Sequence, residues 1–171
     1  MEAHADADEV KEMFKRRTRG AAGGTALAVR PEAIVDTTEV VRILGERIVQ
    51  RLWPIPSEVR LSRPLPMVIY AEDDFWRLVE ILIGRALTAF GPMDSPALAT
   101  VGAGSDGAVT IFSVHTRAPR VFTRQSAQGE FSEAHDYRTW EAKAIVERNG
   151  GRFWIDECNS DGSTAYFTIK S

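Results

Sequence analysis

The chain has 171 residues, 44% of them hydrophobic, and a net charge of -3. That apolar content suits one domain with a real core plus an appendage, and the charge balance offers no basic field for nucleic acid. One cysteine, Cys158, excludes an internal disulfide and a cysteine-based zinc site. No apolar run is long enough for a membrane span or a signal-peptide core, so the expectation is a cytoplasmic chain with no membrane contact of its own.

Residues 1–7 are small, polar and patternless, and are expected to fray. Asp8 to Arg19 suits a short helix, its acids first and its bases last as the helix dipole prefers, with Val10, Met13 and Phe14 as a small apolar stripe. Gly20-Ala21-Ala22-Gly23-Gly24 is a flexible break. Residues 1–24 therefore read as tail, helix and linker, and 25–171 as the folded domain. Thr25 to Arg30 is the first strand. A helix then opens near Asp36 or Thr37, either of which can cap it. Val40, Val41, Leu44, Ile48 and Leu52 keep helical spacing until Pro54 and Pro56 stop it. Val59-Arg60-Leu61 and Met67 to Tyr70 are short strands.

Asp73-Asp74 are placed to cap an apolar helix from Phe75 to Phe90. Its apolar residues cover more than one face, so it belongs in the centre of the core, and Gly91-Pro92 ends it. Ala97 to Gly102 and Ala108 to Val114 are strands joined by the turn Gly104-Ser105-Asp106-Gly107. Residues 115–136 carry few apolar positions and read as a long loop. Tyr137 to Arg148 is the last helix, and Gly150-Gly151 supply the left-handed backbone that stops it. Phe153 to Asp156 alternates as a half-buried strand, and Thr164 to Ile169 follows the turn Asn159-Ser160-Asp161-Gly162. The order β-α-β-β-α-β-β-loop-α-β-β predicts an α+β domain of two layers. Its sheet is mixed, mostly antiparallel, and covered on one face by three helices.

The ending Ala144 to Asp156, helix then Gly-Gly then strand, resembles the close of the ATP-binding domain of bacterial histidine kinases, the Bergerat-fold (GHKL) ATPases. Leu27 to Asp36 resembles the opening strand of that family and the acid starting its first helix. Asp161-Gly162-Ser163-Thr164-Ala165-Tyr166-Phe167 resembles its closing Gly-Ser/Thr-x-Phe strand. Asp8 to Arg19 falls where the phosphoacceptor hairpin would end its second helix, and the rest of that hairpin is not seen.

The resemblance also implies three nucleotide boxes, and each departs from its pattern. The helix with asparagines facing the phosphates carries Arg85 at the magnesium-ligand position, before Ala86, and Ile81 at the earlier one. Mg²⁺ requires oxygen ligands, and an arginine has no acceptor to give. The family's Asp-x-Gly-x-Gly, whose aspartate contacts adenine, falls on His115, Arg117 and Pro119, in a register uncertain by one residue. Proline and arginine close off the backbone approach that glycine permits. The Gly-x-Gly opening the last helix, a phosphate cradle in the family, falls on Asp136 and Arg138. An aspartate at that helix start would cap it and set negative charge against phosphate.

Other candidates have ordinary readings. Arg85 is either a phosphate-binding replacement or a buried arginine paired with an acid such as Asp136. His115 is a phosphoacceptor or a histidine at a strand end, and His4 and His135 lie in segments without pattern. No acid stands at ligand spacing from a histidine, so no metal is expected. Lys15-Arg16-Arg17-Arg19 is a solvated helix end; Trp76, Trp140 and Trp154 are core or edge aromatics; Trp53 is a candidate partner anchor. The resulting expectation is a signalling protein of two-component or phosphorelay type that acts by protein contact, on a receiver domain, a kinase or a second copy of itself, without cofactor. The alternative is a sensor-kinase catalytic domain that binds ATP unconventionally. An anti-sigma-like regulator is a third reading, weakened because those kinases keep their boxes.

Overall fold

Asp36 sets where the first helix starts, because its carboxylate accepts from the Glu39 N–H at 3.1 Å and satisfies a donor the helix leaves over. The computed structural model describes residues 31–88, 96–117, 132–158 and 162–170. In it strand β1 (Glu32–Asp36) runs straight into helix α1 (Thr37–Leu52). Strands β2 (Ser57–Leu61) and β3 (Met67–Ala71), helix α2 (Glu72–Thr88), strands β4 (Ala97–Asp106) and β5 (Val109–Arg117), helix α3 (Ser132–Arg148), and strands β6 (Phe153–Cys158) and β7 (Gly162–Lys170) follow. The expected tail, its helix, the glycine linker and the strand at Thr25–Arg30 lie outside the described residues. So do most of the loop 115–136, the end of α2 at Phe90, its stop at Gly91-Pro92 and the turn residues 159–161.

The α+β two-layer arrangement is the Bergerat fold expected from the element order. A five-stranded sheet runs β2-β4-β5-β7-β6, parallel between β2 and β4 and antiparallel elsewhere. One detail differs from a single sheet: β1 and β3 form a separate antiparallel ribbon. Pro64 and Pro66, which lack amide hydrogens, interrupt the chain between β2 and β3. The ribbon is instead tied to α1, where Thr37 Oγ1 donates to Pro66 O at 2.6 Å and Thr38 Oγ1 accepts from Leu65 N at 3.0 Å.

The three helices lie on one face of the sheet. Val40, Val41, Leu44 and Ile48 of α1 are buried, and Gly45 leaves room for Val59 of β2, which a Cβ would approach to 3.1 Å. Phe75 of α2 is fully buried at the centre, edge-on to Tyr70, Phe112 and Phe167 with centroids 5.9, 5.9 and 6.4 Å away. Truncating such a phenylalanine costs about 3–5 kcal/mol.

Two helix starts differ from expectation. Helix α2 already includes Glu72, so Asp73 and Asp74 lie in its first turn and do not cap it. Asp74 points inward, 1% exposed, and accepts Arg148 Nε at 2.9 Å, Arg148 Nη2 at 2.5 Å and Asn149 Nδ2 at 2.9 Å from the end of α3. Helix α3 begins at Ser132, five residues before Tyr137, because the polar run Ser132-Glu133-Ala134-His135 contains no glycine or proline to stop it. The β4–β5 turn is also tighter than Gly104–Gly107: Asp106 pairs with Val109, and Gly107 sits at φ 61°.

The two hinge glycines have different duties. Gly150, at φ 75°, supplies the left-handed conformation. Gly151 has no positive φ; a Cβ there would drive into the Thr168 carbonyl oxygen and the Val146 side chain. This close approach lets Arg152 N donate to Thr168 Oγ1 at 2.8 Å and Thr168 N to Arg152 O at 3.0 Å, which seats β6 beside β7.

Candidate functional site

Side chains alternate along a strand, and the alternation decides which candidates can meet. On β5, Thr110, Phe112, Val114 and Thr116 are buried against the helices. His115 and Arg117 therefore belong to the other face, which is bare of helices among the described residues. On β7 the buried set Ala165, Phe167 and Ile169 places Ser163 on the helix side and Thr164 on the bare side. The register pairs Thr116 with Ser163 and His115 with Thr164.

On the helix side α2 brings Ile81 and Arg85 toward this corner. Ile81 is 4% exposed and part of the core. Arg85 is buried at 9% exposure, and its Nη1 donates to Ser163 Oγ in a long hydrogen bond of 3.4 Å. Thr116 is 1% exposed, and its hydroxyl has no hydrogen-bond partner among the described residues. Arg138 is exposed on α3, and its Nη1 would lie 4.0 Å from a Cβ on Gly84 of α2. Ile81, Arg85 and Arg138 thus gather around α2, together with Thr116 and Ser163, which sequence reading did not single out.

On the bare face His115 Nδ1 and Thr164 Oγ1 are 2.9 Å apart. These two meet each other but are turned away from α2. Arg117 is exposed and pairs with Gly162 at the end of β5. His115, expected at the adenine-contacting position, is therefore turned away from α2, and its neighbour Thr116 is the residue on the α2 side. The signal was present in the sequence as the period-two run of Phe112, Val114 and Thr116. Asp136 lies within α3, four residues after Ser132, so it does not occupy a cap position. Its side chain lies outside the described residues, as do Pro119 and the side chain of His135, and the proposed Arg85–Asp136 pair falls there too.

The opposite end of α2 is a closed polar network. Asp74 holds the Arg148 guanidinium above the ordinary arginine range through its hydrogen bonds. Burial pushes the nearby Tyr70 phenol well above the ordinary tyrosine range, the Asp74 charge adding to the effect and Arg148 opposing it. Between the two ends Arg77 of α2 binds Glu141 of α3 at 2.8 Å and 3.0 Å.

The donor set does not fit Mg²⁺. The two α2 positions that would supply oxygen carry an isoleucine and a guanidinium, one without polar atoms and the other without a lone pair. Among the described residues no three of His, Cys, Asp and Glu come together, and no helix is long and apolar enough to cross a membrane.

No family model matches the chain. Cyanobacterial phytochrome B of Nostoc sp. is 25% identical over 145 residues, which span 79% of this chain but 19% of that relative's length. Among solved structures, the catalytic domain of histidine kinase ThkA in a nucleotide-free form superposes with a TM-score of 0.62 at 12% identity, covering 82% of this chain and 95% of that one. Full-length ShkA in complex with AMPPNP gives a TM-score of 0.58 at 17% identity, covering 98% of this chain and 40% of that one. The fold is that of the histidine-kinase catalytic domain.

Proposed function

We propose that this domain works by protein contact in a two-component or phosphorelay circuit, as a histidine-kinase-type ATP-binding fold without ordinary Mg-ATP catalysis. The observation that carries the reading is the pair Ile81 and Arg85, both buried where α2 would need oxygen ligands. A buried arginine there repels a divalent cation, and removing the metal leaves the triphosphate charge without its counterion. The partner would be a receiver domain, a kinase or a second copy of the chain, in the cytoplasm. Trp53 at 82% exposure, and the stacked Tyr137 and Trp140 at 65% each, are the aromatic side chains most open to such a contact.

One observation favours a second reading. The Thr116 hydroxyl, without a partner among the described residues, can donate to or accept from an adenine edge, and with Arg85 it would support ATP binding without metal by a sensor-kinase catalytic domain. Calorimetry with ATP and ADP, with and without Mg²⁺, separates the two. The first reading expects no dissociation constant tighter than about 100 μM, on the order of -5.5 kcal/mol. Tighter binding supports the second, and phosphoryl transfer to a histidine-bearing partner would establish it.

A further inference from the structure

The bare face of the sheet holds a second concave site, separated from Arg85 and Thr116 by the sheet itself. It is a shallow, open groove of about 470 Å³ bordered by Ser62, Arg63, Ile111, Ser113 and Tyr166 around Gly102 and Gly104 of β4. The glycines are there for space. A Cβ on Gly102 would come within 2.7 Å of Ser62 Oγ and 3.2 Å of Ser113 Oγ, so two hydroxyls converge over that Cα. A Cβ on Gly104 would sit 3.5 Å from Arg63 Nη2, so the guanidinium lies over the second glycine.

The polar groups are held in place before any ligand arrives. Ser62 N donates to Val101 O at 2.9 Å, and Arg63 Nε donates to Ala103 O at 2.8 Å, with Nη2 directed to the same oxygen. Arg63 Nη1 and the two serine hydroxyls have no hydrogen-bond partner in the protein among the described residues. Tyr166 is fixed as a wall by stacking on Trp154, with centroids 5.1 Å apart and planes 13° apart. Donors fixed beforehand spare a ligand the entropy of ordering them.

We propose that this groove binds a small aromatic carboxylate. The ring packs on Tyr166 and Ile111, beside the glycines, and the carboxylate takes hydrogen bonds from Arg63 Nη1 and the hydroxyls of Ser62 and Ser113. One guanidinium edge matches a single negative charge, which favours a carboxylate over a phosphate dianion. The tyrosine wall favours a flat ring over a branched aliphatic chain.

The test uses the full chain with benzoate as probe, followed by calorimetry and by ¹H–¹⁵N spectra. The expected result is saturable binding with shifts at the Gly102 and Gly104 amides. Arg63→Gln should weaken binding by on the order of tenfold, and Ser113→Ala, which touches no backbone bond, by about threefold. Benzamide and acetate should each bind more weakly than benzoate by about tenfold or more. Benzamide binding as tightly as benzoate would overturn the carboxylate, and acetate binding as tightly would overturn the ring. Shifts confined to Thr116 and Ser163, or no saturable binding, would overturn the site itself. None of these outcomes bears on ATP, which the calorimetry above decides.

Discussion

The two ends of α2 are built on opposite principles. At its start Asp74 is buried, yet three donors from Arg148 and Asn149 surround it, and the Gly150-Gly151 hinge follows at once. Toward its end Arg85 reaches Ser163 through a long hydrogen bond, and the buried Thr116 hydroxyl has no partner among the described residues. The first end does structural work, tying the start of α2 to the end of α3 just before the chain turns into β6. The second end holds the side chains on which the proposed loss of Mg-ATP chemistry rests, Ile81 and Arg85. Scaffold and site are separable within one helix.

The contrast can be broken most forcefully at the closed end. Phe75→Ala should destabilise by about 3–5 kcal/mol, read from the urea midpoint, because three aromatic neighbours lose their partner. A loss below about 1 kcal/mol would mean that the core is not organised around it. Arg148→Ala should cost about 2–3 kcal/mol, below the full cost of breaking a buried pair because Arg148 is itself partly exposed while Asp74 keeps its Asn149 bond. At the other end Arg85→Met, which removes the guanidinium bonded to Ser163, should cost less than Phe75→Ala, about 1–3 kcal/mol. Arg85→Asn should fail to create Mg-dependent ATP binding, because Arg138 and the segment after Arg117 stay as they are. Gain of binding from that one change would show that the metal position alone separates this chain from an active pocket.

Tyr70 gives the smallest effect and a pH signature. Its phenol is buried and has no hydrogen-bond partner among the described residues, so Tyr70→Phe should shift stability at pH 7 by about 1 kcal/mol or less. Because folding raises this pKa, the phenol's contribution is fully present below the ordinary tyrosine value of about 10 and is lost as pH rises above it. Wild type should therefore lose stability above about pH 10 faster than Tyr70→Phe, in urea melts at matched pH. Parallel losses would place the phenol in water.

Element order and fold were legible because hydrophobic period, glycines and prolines all agree along this chain. Val40, Val41, Leu44 and Ile48 mark α1, Phe112 and Val114 mark β5, and Gly150 marks the hinge. The start of α3 was not, since its first residues are polar and carry no periodic apolar signal. Gly151 was read as a second left-handed residue when its real constraint is the Thr168 carbonyl, a neighbour 17 positions away that no local pattern reports. The site was half legible. Arg85 and Ile81, named through the family resemblance, lie on the inner side of α2, whereas His115, named in a register uncertain by one residue, lies on the sheet face opposite Thr116. The bare-face groove depends on Ser62 and Arg63 folding over β4, which only the three-dimensional register shows.

The central claim, a kinase-type scaffold without its metal chemistry, is tested most directly by titrating the chain with ATP in the presence and absence of Mg²⁺. The account predicts binding weaker than about 100 μM in both, with no enhancement by the metal. Tight binding that appears only with Mg²⁺ would contradict it.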